Sequence, residues 1–203
     1  DPAWLEEALL LNRYLDLHFS DAGKSGFFTT SDEGDVLLIR KKEIYDGAIP
    51  SCNSIMLGNL VLLGHLTGDA VHEDAASRLA DGFSGIVSRS PSSFCAYLCG
   101  LDHLLGPALD VVIAGDKQDA GVTGMIRTIR DTFLPSVTVH TRLSPPSGTG
   151  LDSLAPFIRT LITKDGKATA YVCSGRTCSA PVTTVEALRE LLGEKSEGEI
   201  RGS

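Results

Sequence analysis

Apolar residues in the first part of the chain recur with the period of an α-helix. One stands at every third or fourth position from residue 4 to residue 19, which places them on one helical face: Trp4, Ala8, Leu11, Leu15 and Phe19. Two short extended runs follow, at 27–30 and 36–40, with a turn-forming cluster between them at 31–35. This arrangement predicts a β-hairpin.

A second helix is predicted over residues 54–66, with Ser51 or Asn53 as its N-cap. It is apolar on nearly every side, so we expect neighbours all round it. Thr67-Gly68-Asp69 ends this helix and begins a third, amphipathic one. The apolar stripe of the third helix consists of Val71, Ala75, Leu79, Phe83 and Val87.

A fourth helix is predicted to begin at Ser90-Pro91, because proline is favoured in a first turn, and to end at Gly106. Buried and amphipathic helices therefore follow one another along this half of the chain. Such a succession is typical of helical hairpins that stack into a toroid or a solenoid.

The pattern changes near residue 108, where short apolar strands begin to alternate with helices. Strands are predicted at 110–114, 137–141 and 168–173, and a last helix at 184–192. The alternation implies parallel pairing through right-handed crossovers. We therefore predict a mixed α+β protein. Its helical hairpins span 1–107, a small α/β domain with a three-stranded, mostly parallel sheet spans 108–193, and a flexible tail spans 194–203.

Composition and charge exclude several classes of partner. The 203 residues suit one or two domains, and the net charge is −8. An acidic chain is a poor ligand for nucleic acids or anionic membranes, which need clustered Lys and Arg. The longest apolar run, at 55–66, is too short to span a bilayer. We therefore expect neither a nucleic-acid nor a membrane partner.

The five cysteines fall into two groups. Cys52, Cys95 and Cys99 lie in apolar helical context, where a free cysteine packs as a small hydrophobic residue. Cys173 and Cys178 bracket four residues after a predicted strand. The odd total and the irregular spacing argue against a secreted disulfide framework, and a cytoplasmic location is the expectation.

Five segments together resemble one protein family. They are RKKEIYDGAIPSCNS at 40–54, LTGD at 66–69, VVIAG at 111–115, AYVC at 170–173 and CSAPV at 178–182. Their order along the chain resembles that in bacterial thioredoxin-domain proteins related to the spermatogenesis-associated thioredoxin-like protein. One departure is Cys52, where the family usually has glycine; a Cβ is tolerable there only if φ is negative.

The resemblance implies a larger parent protein. Members of the family have a thioredoxin-like domain, then an (α/α)6 barrel of the six-hairpin type, then a small C-terminal region. The barrel is similar to those of N-acylglucosamine 2-epimerases and some glycosidases. By this resemblance the chain is the C-terminal third of such a protein, with about the last two hairpins of the barrel. The thioredoxin-like domain and the rest of the barrel would precede it.

Candidate chemistry lies in the segment 41–53, which the resemblance puts at the opening of an inner helix. Carboxylates near hydroxyl and amide donors suit sugar recognition or acid–base work. The catalytic candidates are Glu43 and Asp46. The ligand-binding candidates are Lys42, Tyr45, Asp46, Ser51 and Asn53. The alternative is structural, with Asp46-Gly47 as a turn and Ser51 or Asn53 as a cap.

Other chemistry finds little support in the sequence. His65 lies inside the apolar helix, where a single histidine is more often a satisfied core residue than a catalyst. The remaining histidines show no recognised spacing, and no metal motif is present. Neither G-x-G-x-x-G nor a P-loop occurs, which disfavours nucleotide binding. We therefore expect no metal and no cofactor.

Three interpretations remain open for Cys173 and Cys178. They are packing cysteines, a structural disulfide, or a pair that exchanges electrons with the family's thioredoxin-like domain. A loop containing Gly175 can bring them within the Cα separation of roughly 4.4–6.8 Å that a disulfide needs.

Two functions remain open as well. The first is a carbohydrate-binding barrel fragment of undetermined reaction, and the alternative is a non-catalytic module that binds a protein or supports thiol exchange. A lone fragment of a barrel is also expected to form a homo-oligomer through its apolar helical faces.

Overall fold

The computed structural model describes residues 2–34, 38–144, 150–175 and 177–200, with side chains at 150 and 194–200 left out. The chain divides into two compact units, Asp1–Gly106 and Pro107–Ser203. The first is helical and the second combines helices with a sheet. Over its described residues the protein is therefore a mixed α+β protein, as the sequence pattern predicts.

The helical unit contains four α-helices in its described part. They are α1 (Pro2–Phe19), α2 (Cys52–Thr67), α3 (Ala70–Val87) and α4 (Cys95–Leu105). A 3₁₀ turn at Pro91–Ser93 precedes α4, so the predicted fourth helix begins later than Pro91. The core of the unit consists mainly of side chains from α2, α3 and α4.

Local capping signals were predicted well around α2. Ser51 is the N-cap, and its side chain accepts a hydrogen bond from the backbone N–H of Ser54. Gly68 ends the helix with φ 71°, a left-handed conformation that glycine adopts at little cost. Asp69 then caps α3 by accepting from the N–H of Val71. These caps involve neighbours in sequence, which is why the sequence reveals them.

The predicted burial of the helical faces is partly wrong. Leu5 of α1 is buried and Leu15 packs against the core, but Trp4 and Leu11 of the predicted face are exposed. Helix α2 is not covered all round, since Ile55 and Leu62 are exposed. Periodicity identifies an apolar face, but whether that face is buried depends on which elements are present to cover it.

The predicted hairpin between 27–30 and 36–40 is wrong in the part that is described. Phe27 forms an isolated bridge with Ser20, and the N–H of Thr29 donates to the carbonyl of Lys41 at 2.8 Å. The backbone of Phe27 is bound on its other side by the side chain of Asn53, which replaces a strand partner. Positions 35–37 lie outside the described residues.

The described residues of the second unit form a four-stranded sheet in the order β2-β1-β3-β4. The strands are β1 (Leu109–Asp116), β2 (Val137–Ser144), β3 (Thr169–Ser174) and β4 (Thr177–Cys178). The helices are α5 (Ala120–Asp131), α6 (Gly150–Leu154) and α7 (Val185–Ile200), with a 3₁₀ turn at Pro156–Thr160. One sheet face packs against α5 and α7, and the other against α6 and the 3₁₀ turn.

The sheet corrects the prediction of a three-stranded, mostly parallel arrangement. Strands β1 and β2 are parallel, joined through α5 as expected. Strand β3 runs antiparallel to β1, and the two-residue β4 adds a second antiparallel pair. In its described part, from residue 150 onwards, the connection from β2 to β3 contains the short helix α6 and a 3₁₀ turn, and the chain returns in the opposite direction. Alternation of strands and helices alone does not fix strand direction.

The last helix is longer than the sequence pattern predicts. The backbone of α7 continues to Ile200, whereas we expected a helix ending at Leu192 and a tail from 194. Leu188 and Leu192 anchor it in the core of the unit. Residues 201–203 of the predicted tail lie outside the described residues.

Candidate functional site

Asp46 connects the segment before α2 to the start of α4. Its Oδ1 accepts the backbone N–H of Ser51 at 2.8 Å, and its Oδ2 accepts the N–H of Tyr97 at 3.0 Å. Phe94, the N-cap of α4, offers no side-chain hydrogen bond. The carboxylate of Asp46 therefore caps α4 from a distant part of the chain. Its negative charge also interacts favourably with the positive end of the helix dipole.

The environment of Asp46 keeps its carboxylate ionised. Burial alone would raise its pKa, but hydrogen bonds from the N–H groups of Ser51 and Tyr97, the Ser54 hydroxyl and the N–H of Ala96 outweigh burial. The pKa of Asp46 is therefore lowered. A group of this kind is a poor general acid at neutral pH, because it holds no proton to give.

Asn53 is fully buried, at 0 % exposure, and serves as a clip between three backbone segments. Its Nδ2 donates to the carbonyls of Phe27 at 3.0 Å and Glu43 at 2.7 Å, and its Oδ1 accepts the N–H of Phe27 at 2.7 Å. Its polar atoms are satisfied inside the protein. The sequence indicated an N-cap or a ligand-binding side chain here, and the structure gives a third role.

Lys42 and Ser51 are also engaged within the unit. The Nζ of Lys42 donates to Asp21 Oδ2 at 2.6 Å and to the carbonyl of Ser25 at 3.0 Å. The hydrogen bond from Lys42 and those from the N–H groups of Gly23 and Lys24 lower the pKa of Asp21. Ser51 is buried, and its Oγ lies 2.8 Å from that of Ser54.

Tyr45 and Glu43 are the candidates that face solvent. Tyr45 is 60 % exposed. Glu43 is exposed too, and its Oε1 accepts from Lys41 Nζ at 3.0 Å. Of the predicted set, these two side chains present an aromatic ring and a carboxylate at the surface. The other four candidates hold the segment in place.

The structure brings together two histidines that sequence reasoning treated separately. His65 of α2 and His103 of α4 stack with their ring centroids 5.0 Å apart. Neither ring is fully buried. The contact arises because α2 packs along α4, and no local spacing in the sequence could have revealed it. In the described part of the chain, no three metal-binding side chains form a group that could hold an ion.

The expectation that three cysteines pack in apolar cores is wrong. Cys52, Cys95 and Cys99 are all free and exposed. Cys52 lies at the exposed start of α2, and Cys95 and Cys99 lie one turn apart on α4. The apolar context seen in the sequence belongs to neighbouring positions, which point to the opposite side of each helix.

Cys173 and Cys178 form a disulfide. They are directly opposite each other in the β3–β4 hairpin, with their Cα atoms 3.8 Å apart. They are therefore close enough to pair, as predicted, although this separation is shorter than the expected range. Gly175, with φ 58°, lies in the turn between them. Its left-handed conformation, which glycine adopts readily, helps β4 to fold back on β3.

Comparison with known proteins gives relatives over almost the whole chain. The human protein named "Spermatogenesis-associated protein 20" is 33 % identical over 193 residues, which is 95 % of this chain. The rat and mouse proteins of the same name are 31 % and 30 % identical over 193 residues. The chain spans only 24 % of the length of each. No protein-family model matches. The similarity agrees with the resemblance carried by the five sequence segments.

None of the helices in the described part of the chain is long and apolar enough to cross a membrane.

Proposed function

We propose that this chain is the C-terminal portion of a longer protein of the spermatogenesis-associated thioredoxin-like family, and that its helical unit belongs to a carbohydrate-binding (α/α)6 barrel. The extent of the similarity supports this, because 95 % of the chain matches 24 % of the human relative. In the parent protein, a thioredoxin-like domain and the remaining barrel hairpins would be its partners within one polypeptide.

Exposed apolar helical faces support the existence of such neighbours. On α1, Trp4 is 77 % exposed and Leu17 is 70 % exposed. The exposed apolar residues of α1 follow helical spacing: Trp4, Leu10, Leu11, Tyr14 and Leu17. Soluble monomers rarely leave a contiguous apolar patch of this kind uncovered. We propose that further barrel helices cover it in the parent protein and that a second copy covers it in the isolated chain.

The isolated chain is expected to sediment as a homodimer or a larger assembly. Burial of the α1 face drives association, so the double variant Trp4→Ser/Leu17→Ser should shift the protein towards monomer. Phe133→Ser, a change at an exposed aromatic residue of the other unit, is the matched control and should leave the distribution unchanged. Sedimentation velocity at high concentration measures this. A wild-type chain that remains monomeric would contradict the proposal.

The ligand surface that we propose consists of Tyr45 and Glu43. The single observation that carries it is the exposure of the Tyr45 ring on a segment whose backbone is fixed by Asp46 and Asn53. An exposed aromatic ring two residues from an exposed carboxylate suits a polyhydroxylated ligand, since the ring covers C–H groups and the carboxylate accepts from hydroxyls. Lys42, Asp46, Ser51 and Asn53 then shape the surface.

This proposal does not depend on catalysis by the chain alone. Asp46 is occupied by backbone donors, which leaves Glu43 as the candidate that could take part in proton transfer. The parent protein's reaction would therefore need groups from elsewhere in the barrel. The alternative function is a non-catalytic module, and the exposed free thiols support a reducing compartment such as the cytoplasm for either one.

Saturation-transfer NMR with N-acetylglucosamine tests the ligand surface. We expect transfer from the protein to the sugar, and we expect Tyr45→Ala to reduce it by about tenfold because the stacking surface is lost. Phe133→Ala removes a ring of the other unit that is still more exposed, at 88 % against 60 % for Tyr45, and should have no effect. Equal transfer in the two variants, or none in the wild type, would refute sugar binding at Tyr45.

A further inference from the structure

The two residues of the Cys173–Cys178 disulfide differ in their exposure to solvent. Cys173, in the inner strand β3, is 5 % exposed and packs among apolar side chains that include Val112, Ile158 and Tyr171. Cys178 is exposed, and its strand β4 lies at one edge of the sheet. An incoming thiolate can therefore reach Cys178 much more easily than Cys173.

Backbone hydrogen bonds hold the hairpin together without the disulfide. The N–H of Ser179 donates to the carbonyl of Val172 at 2.9 Å. Further along, Ala170 and Val182 exchange two hydrogen bonds, of 2.8 and 3.0 Å. The disulfide closes a loop of only four intervening residues, so it removes little entropy from the unfolded chain. Reduction should leave the fold intact and the two thiols close together.

The remaining cysteines indicate the redox setting of the protein. Cys52, Cys95 and Cys99 are exposed and free, a condition that is typical of proteins from reducing compartments. Disulfides in such compartments are usually transient and serve in catalysis or sensing. A disulfide that has one exposed residue, in a hairpin held by its own backbone hydrogen bonds, fits that role better than the role of a permanent crosslink.

We propose that the Cys173–Cys178 disulfide is a thiol–disulfide exchange site, attacked at Cys178 by the thiolate of a dithiol reductant. The attack forms a mixed disulfide between the reductant and Cys178, breaks the bond between the two cysteines, and leaves Cys173 to take a proton from water. The second thiol of the reductant then attacks the mixed disulfide and releases Cys178. Two electrons pass from the dithiol to this chain, and the reductant becomes a disulfide.

The proposed exchange reaction does not depend on the proposed sugar surface or on the proposed barrel. The first experiment uses the full chain with Cys52, Cys95 and Cys99 changed to serine, treated with dithiothreitol under native conditions. Thiols are counted by maleimide labelling while circular dichroism follows the fold. We expect both thiols to appear with no loss of the native signal. A disulfide that is reduced only after unfolding would overturn the proposal.

A second experiment compares how readily each of the two sulfurs is reached by an outside thiol or disulfide. In the same background, Cys173→Ser leaves Cys178 alone, and Cys178→Ser leaves Cys173 alone. With oxidised glutathione, we expect the mixed disulfide to form at least about tenfold faster on Cys178 than on Cys173, because Cys173 is buried. Mass spectrometry measures the adduct. Equal rates on the two cysteines would contradict the assignment of Cys178.

Discussion

Replacement of Asn53 by alanine is expected to cause the largest loss of stability among single changes in the segment 41–53, about 3 to 5 kcal/mol in the free energy of unfolding of the helical unit. The change removes both partners of the Phe27 backbone and one partner of the Glu43 carbonyl. These groups lie around a fully buried side chain, so water replaces the lost bonds poorly.

Asn59 provides a matched control on the same helix. It is exposed on α2, so Asn59→Ala should change the free energy of unfolding by less than about 0.5 kcal/mol. Urea unfolding followed by circular dichroism gives both values. Hydrogen exchange gives a local measurement, since the Phe27 amide should lose its protection in Asn53→Ala. Equal stabilities of the two variants would show that the Asn53 clip is unimportant.

Asp46 is the second residue whose loss should be costly. Asp46→Ala removes a carboxylate that accepts the N–H groups of Ser51 and Tyr97, and Asp46→Asn keeps the shape but loses the charge. Hydrogen bonds to a charged acceptor contribute about 1.5–3 kcal/mol, so we expect a loss of about 3 kcal/mol for alanine and about 1–2 kcal/mol for asparagine. Hydrogen exchange at the Tyr97 amide should rise in both variants.

The contribution of Asp46 should depend on pH in a defined direction. Because its pKa is lowered by folding, ionised Asp46 stabilises the folded state at pH values above the unfolded pKa of about 3.9. That stabilisation is lost as the pH falls through the lower pKa of the folded state. The stability difference between wild type and Asp46→Asn should therefore be constant near neutral pH and shrink below about pH 4.

Unfolding in urea at several pH values measures this difference. Asp21 and Asp32 also have lowered pKa values. Their contributions to the free energy of unfolding are the same in wild type and variant, so these contributions cancel in the difference. Asp74→Asn, at an exposed position of α3, is the control for the loss of one carboxylate and should change the free energy of unfolding by less than about 0.5 kcal/mol at neutral pH. A difference between wild type and Asp46→Asn that persists unchanged into acid would exclude the proposed capping by the carboxylate.

Much of the local structure could be predicted from the sequence because it depends on neighbours along the chain. The cap at Ser51 acts on a backbone N–H three residues later, and Gly68 and Asp69 act over similar distances. The change from a helical period to short apolar runs near residue 108 corresponds to the first strand, β1, which begins at Leu109. Helix caps and hydrophobic periodicity depend on residues that are close in sequence, so both can be predicted from the sequence.

The tertiary structure alone decided which of the predicted site residues are exposed and which are hydrogen-bonded within the protein. Asp46 caps a helix that begins about fifty residues away. Asn53 forms hydrogen bonds with the backbone of Phe27, 26 residues earlier in the chain. Asp and Asn side chains also bind ligands, so the residue type alone did not distinguish a ligand-binding role from a structural one. Likewise, the direction of β3 and the exposure of Cys52, Cys95 and Cys99 follow from which elements pack together. Such contacts join residues that are distant in sequence. A single sequence shows the chemical type of each residue but not which distant residues are in contact.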